Sequence, residues 1–197
     1  MKKKILISTG GSGGHVVPAT ILYKHLQDQF DVSITSDKRG ARFLEGDNYN
    51  LNIFNVNPIS KNIFLIPLQF FLIISLIIKS FFFLKKNKID LLLSTGGYMS
   101  LPLCLASKLL KTKLYLFEPN VVLGRSNRFF LNHCNKIFCY SDKVKNFPNK
   151  SKNKIEIIPP LLRKKFYETD KIKKKNEEVN LLIIGGSQRA KIFDNLI

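Results

Sequence analysis

The sequence predicts an α/β protein built on a parallel sheet, and three observations carry that prediction. Short, β-branched apolar runs alternate with helix-length segments along most of the chain. Two of the strand-to-helix junctions are rich in glycine: Thr9-Gly10-Gly11-Ser12-Gly13-Gly14 and Thr95-Gly96-Gly97-Tyr98. The chain has 197 residues, 45% of them hydrophobic and 23% charged, which is enough to bury a core without disulfides and excludes global disorder.

The elements follow in order. Lys4–Ser8 reads as a strand, and a helix follows the first glycine loop from about His15 to Gln27, with Pro18 tolerated in its first turn. Strand 31–35, a short helix at 38–45 and strand 51–56 come next. Residues 63–84 are apolar throughout except for Pro67, Gln69, Ser75, Lys79 and Ser80. Strand 89–94, helix 100–110, strand 113–117, helix 123–131, strand 136–140 and strand 155–158 complete the βα rhythm, which Pro159-Pro160 stops. Residues 164–180 turn polar and read as a linker or a solvated helix. A strand at 179–184 then runs into a third glycine turn, Gly185-Gly186-Ser187-Gln188, as a new α/β domain begins. The expected organisation is a first domain at 1–160, a linker at 161–178 and the truncated start of a second domain at 179–197.

A glycine loop between a strand and a helix aims free backbone N–H groups at one spot, where the helix dipole adds positive potential. Such a spot suits phosphate, and in a parallel sheet the first two loops emerge at the same carboxyl edge. The first loop is neither a P-loop, since no Gly-Lys-Ser/Thr follows, nor a GxGxxG turn, so a dinucleotide is disfavoured. His15 lies beside this nest, where a neutral imidazole can act as a general base; otherwise it caps the loop or packs on the sheet. His25, in mid-helix, reads as structural or exposed, and His133 as a cationic helix end. Glu118 and Asn120, in Phe117-Glu118-Pro119-Asn120, end a strand at the ligand-bearing edge, although Pro-Asn also forms turns. Arg163, beyond the two prolines, can reach a diphosphate or carboxylate, or can simply be exposed in a basic linker.

Lys and Arg number 32 against 14 Asp and Glu, a net charge of +18 that favours anionic partners. A Lys-, Asn-, Ile- and Phe-rich composition also arises from an AT-rich genome without functional meaning. No helix-turn-helix, RNP aromatic pair, KH loop or zinc finger is visible, so nucleic acid is not an expected partner. Three cysteines without a CxxC pair argue against a disulfide framework and for a reducing compartment. His133, Cys134 and Cys139 lack the fourth ligand and the spacing of a zinc site. The run Ile5-Leu6-Ile7 is too short for a signal peptide, so a cytoplasmic location is expected. Residues 63–84 are long enough to span a bilayer. Their place between strands favours instead a crossover helix with an apolar outer face. With Lys79, Lys85, Lys86 and Lys88, that face suits an anionic membrane surface; burial within the protein is the plain alternative.

Five motifs, in order, resemble the MurG family of glycosyltransferases. ILISTGGSGGHVVPA resembles its first glycine loop, STGGYMSLP its second, and FEPNVVLGRSNR its HEQNxxxGxxNR segment. Arg163 matches the arginine of its GNPVR segment, and IIGGSQRA its GGSQGA. Phe117, Pro119, Leu101 and Arg189 depart from the family pattern, and Pro160 fits the hinge pattern only approximately. The match covers essentially this whole chain and about half the family's length.

The resemblance implies a GT-B fold: a Rossmann-like acceptor domain followed by the truncated start of a second Rossmann-like domain. It implies transfer of N-acetylglucosamine from UDP-GlcNAc to the undecaprenyl-diphosphate-linked muramyl-pentapeptide in peptidoglycan synthesis. It further implies that the reaction is inverting, uses no metal or cofactor, and takes place at the cytoplasmic face of the inner membrane. His15 matches the proposed base. Ser12, Gly13, Gly14, Asn120, Arg163 and Ser187 match donor contacts, and Gly10, Gly11, Gly96, Gly97 and Tyr98 match the acceptor-diphosphate loops. The chain alone is expected to be inactive because most donor-site residues lie beyond Ile197. The alternatives are a membrane-anchoring acceptor subunit of a split transferase and a soluble nucleotide-binding domain.

Overall fold

The computed structural model describes residues 2–46, 48–54 and 66–168. Seven strands form one sheet: β1 (Lys4–Ser8), β2 (Asp31–Ser36), β3 (Leu51–Ile53), β4 (Leu91–Ser94), β5 (Lys113–Glu118), β6 (Lys136–Cys139) and β7 (Ile155–Ile157). Their order is β3-β2-β1-β4-β5-β6-β7, and every neighbouring pair is parallel. The helices are α1 (Gly13–Leu26), α2 (Lys38–Ala41), α3 (Ile66–Lys86), α4 (Leu101–Leu110), α5 (Arg125–Phe130) and α6 (Lys165–Glu168). Chain direction across the sheet reverses between β1 and β4, the switch point where such folds open a crevice.

The sheet separates two apolar clusters because side chains alternate along each strand. Leu6, Leu92, Leu114, Leu116 and Ile137 meet Leu84 of α3, Leu103 of α4 and Phe130 of α5. Ile5, Ile7, Ile34, Leu93 and Phe117 meet Val16, Ala19 and Tyr23 of α1. Ile5-Leu6-Ile7 is buried on both faces, which explains why β1 reads as an uninterrupted apolar run.

Several boundaries shift for local reasons. α1 begins at Gly13, two residues before its expected start, so the last two glycines of the loop form its first turn. α2 closes after four residues. α5 begins at Arg125 because Glu118 accepts the Gly124 N–H and holds residues 121–124 outside the helix, where Val122 bridges to Lys145. β3 ends at Ile53, one residue short of Phe54, which its expected span includes; the rest of that span, 55–56, lies outside the described residues. The strand expected at 179–184 and the glycine turn at 185–188 also lie outside them. A compact unit runs from Met1 to Tyr167.

α3 departs from a plain crossover helix. Its 21 residues extend about 31 Å, whereas the four residues of β4 extend about 13 Å. Only its C-terminal turns join the core, through Phe81, Phe83 and Leu84. Phe83 packs edge-on against Phe54, and the Lys79 ammonium sits 5.3 Å from the centroid of the same ring. Phe54 lies just past the carboxyl end of β3, so the helix reaches that edge of the sheet by residue 79. The turns before Lys79 stand off the edge, exposing Leu68, Phe70, Phe71, Leu72, Ile74 and Ile78. From Leu68 to Lys86 the helix is long and apolar enough to cross a membrane, and only 11% of that window is buried.

Candidate active site

The first glycine loop leaves β1 and opens α1 directly. Ser12 is the N-cap in extended conformation, yet its side chain makes no capping bond. Gly13 and Gly14 then begin the helix, where their N–H groups have no intrahelical acceptor. The first turn contains no acidic residue. The helix therefore presents an uncapped N-terminus, with the electrostatics of an anion site. Gly11 is used differently, because its N–H donates to Asp37 Oδ1 at 2.9 Å.

The second loop seats the imidazole. His15 Nδ1 lies 2.8 Å from the Thr95 carbonyl oxygen. A carbonyl only accepts, so Nδ1 carries the hydrogen and the neutral ring keeps its lone pair on Nε2. Gly96 and Gly97 line the ring: a Cβ at Gly96 would lie 3.3 Å from Cε1, and one at Gly97 3.5 Å from Cδ2. Gly97 has φ 84° and ψ 157°, a region that only glycine enters without strain. Tyr98 follows in a 3₁₀ turn, its ring under the Arg39 guanidinium at 5.4 Å and its hydroxyl 3.4 Å from Asp37 Oδ2.

The third wall is the loop after β5. Glu118 is 2% exposed and accepts four hydrogen bonds. They come from Asn120 N at 3.2 Å, Asn120 Nδ2 at 2.8 Å, Gly124 N at 2.7 Å and Asn127 Nδ2 at 3.0 Å. Of the two strand-end candidates, Glu118 is thus satisfied within the protein and serves to shape the loop. Asn120, Gly96, Gly97, Tyr98 and His15 line one cleft of about 480 Å³, together with Arg125 and Asn127.

Other candidates lie elsewhere. Arg163 sits in a segment tied to the far end of α1. His25 Nε2 donates to the Leu162 carbonyl at 2.8 Å, and Lys164 pairs with Asp28 at 2.5 Å. The Lys164 ammonium holds the Asp28 carboxyl below its usual range. Arg163 is therefore not brought to His15, which stands at the opposite end of the same helix. Ser187 lies outside the described residues. Cys104, Cys134 and Cys139 are buried free thiols; burial pushes Cys104 up to about 12 and Cys139 up to about 11.

The chain's residues 5–139 match the glycosyltransferase family 28 N-terminal domain. The chain belongs to this family. Its similarity extends to a curated UDP-N-acetylglucosamine–N-acetylmuramyl-(pentapeptide) pyrophosphoryl-undecaprenol N-acetylglucosamine transferase of Pelagibacter ubique, which is 67% identical over all of this chain and 55% of the relative. A transferase of the same name from Leptospira interrogans is 31% identical over 99% of this chain and 57% of its own length. The chain thus spans about half the length of the curated relatives it matches. The crystal structure of Acinetobacter baumannii MurG superposes with a TM-score of 0.75 at 24% identity, covering 98% of this chain and 55% of that one. The expected α/β fold of the GT-B type therefore holds for the family 28 domain.

Sequence reasoning missed one residue of this family 28 domain. Asp37 directly follows β2 as the N-cap of α2, near where dinucleotide-binding folds place the acidic residue that holds a ribose. Here its carboxylate, 4% exposed, instead accepts the N–H groups of Gly11 and Gly40. An aspartate at a strand end followed three residues later by glycine was the available signal.

Proposed function

We propose that this chain is the acceptor-binding part of an inverting N-acetylglucosaminyltransferase acting at the cytoplasmic face of the bacterial inner membrane. Its acceptor is the undecaprenyl-diphosphate-linked muramyl-pentapeptide and its donor is UDP-GlcNAc. The observation that carries this reading is His15, fixed by Thr95 with its Nε2 acceptor free, between a helix N-terminus and the second glycine loop.

The chemistry follows from those groups. The muramyl 4-hydroxyl oxygen attacks C1 of the N-acetylglucosamine, and its proton passes to His15 Nε2. The C1–oxygen bond to the diphosphate breaks and UDP leaves with the bonding electrons, which inverts C1. The Ser12, Gly13 and Gly14 backbone stabilises diphosphate charge without reorganising. Gly96, Gly97 and Tyr98 border the acceptor diphosphate, as do Gly10 and the flank of Gly11. Asn120 contributes a polar contact to the donor, while Arg163 and Ser187 enter the proposal through the family resemblance alone.

The standing-off half of α3 supports a lipid acceptor, because it leaves the sheet at the same edge as the glycine loops. A diphosphate head in the cleft can then belong to a lipid whose tail remains in the membrane beside Phe70 and Phe71. Lys79, Lys85, Lys86 and Lys88 suit an anionic surface. The test is flotation of the chain with vesicles of zwitterionic lipid, of anionic lipid, and of anionic lipid doped with undecaprenyl diphosphate. Binding should rise in that order, and Phe70→Ser with Phe71→Ser should cut it about tenfold while leaving the fold intact. Equal recovery in all three vesicle types, or none, would contradict the membrane-acceptor reading.

A further inference from the structure

We propose that Asp37 is a positioning residue that holds the first glycine loop in its anion-binding shape and registers it against the second loop. The proposal deepens the diphosphate-binding reading of the cleft and rests on it. One carboxylate oxygen, Oδ1, accepts Gly11 N–H at 2.9 Å and Gly40 N–H at 2.8 Å. The other, Oδ2, faces Arg39 Nε at 3.3 Å and the Tyr98 hydroxyl at 3.4 Å. Asp37 thereby joins the first loop, the cap of α2 and the second loop at one buried point. The surrounding packing is tight: a Cβ at Gly10 would lie 2.9 Å from Oδ1, and one at Gly40 would lie 2.8 Å from Gly10 Cα.

The arrangement also divides the loop. Gly11 has its N–H committed beside a negative charge, whereas the Gly13 and Gly14 N–H groups have no acceptor among the described residues and no acidic residue in their turn. Direct N–H donation to an anion is therefore left to the helix end of the loop, next to His15. Charge alone gives the opposite mutational sign. Deleting a nearby carboxylate should strengthen anion binding by simple Coulomb attraction, but deleting a support should weaken it.

Two variants of the full 197-residue chain separate these effects, with farnesyl diphosphate as the probe. Asp37→Ala removes charge and hydrogen bonds, while Asp37→Asn removes the charge and keeps an oxygen for Gly11 and Gly40. The expected result is about tenfold weaker probe binding for alanine, with asparagine restoring affinity to within about threefold of the parent. Amide hydrogen exchange at Gly11 should accelerate at least about tenfold in the alanine variant only, with Ile5–Ile7 of β1 still protected. Tighter binding in both variants would overturn the proposal in favour of a purely Coulombic role. Unchanged Gly11 exchange in the alanine variant would overturn it as well. If the parent chain fails to bind the probe while Gly11 exchange still accelerates, the diphosphate reading fails and the loop-holding role of Asp37 stands.

Discussion

The two glycine loops use the same residue for opposite ends. In the first, Gly13 and Gly14 open a helix and leave their amides uncommitted. In the second, amides are turned inward: Gly96 N–H donates to Ser94 Oγ at 3.2 Å, and the Ser100 N–H to the Gly97 carbonyl at 3.3 Å. What the second loop offers is absence of side chain, a flat seat against which the His15 ring rests. One loop supplies hydrogen-bond donors and the other supplies space, and a glycine count in the sequence does not distinguish them.

Substitutions can break that contrast, beginning with the largest effect. Gly40→Ala attacks the support behind the first loop, since its Cβ would meet Ser36 Oγ and the backbone of Gly10. Overpacking of that kind costs about 3 kcal/mol. Calorimetry should show a melting midpoint lowered by roughly 10 °C. Gly97→Ala attacks the seat. The strained backbone costs about 2 kcal/mol, and the His15 ring resonances should move in the chain without added ligand. Gly13→Pro should change stability least, within about 1 kcal/mol, because Gly13 is the first helical residue and Ser12 before it is extended. It deletes one uncommitted helix-start amide, so farnesyl diphosphate binding should weaken about tenfold in a titration. A Gly13→Pro chain that binds as well as the parent would remove the first loop from the anion site.

Much of the architecture was legible in the sequence because local patterns determine it. Ile5-Leu6-Ile7 reads as a strand buried on both sides, and the βα alternation leaves a parallel sheet as its natural outcome. His15 beside the nest was legible too, since loop and helix start are contiguous. The partners of Asp37 and Glu118 were not. Asp37 and Gly11 are 26 positions apart and meet only because β1 and β2 are neighbours in the sheet. Glu118 resembled a ligand group because strand-end carboxylates often are, yet its own loop folds back over it through Asn120 and Gly124. The apolar run at 63–84 announced an unusual helix, but its offset from the sheet depends on where Phe83 meets Phe54, and periodicity carries no such information.

The most direct test of the central claim is a titration of the ¹⁵N-labelled chain with farnesyl diphosphate, read at individual backbone amides. Gly13 and Gly14 should shift most, the His15 and Gly96–Gly97 amides should follow, and Gly11 should move little because Asp37 already holds it. Shifts centred on the amino edge of the sheet, or on Gly11 ahead of Gly13 and Gly14, would contradict that claim.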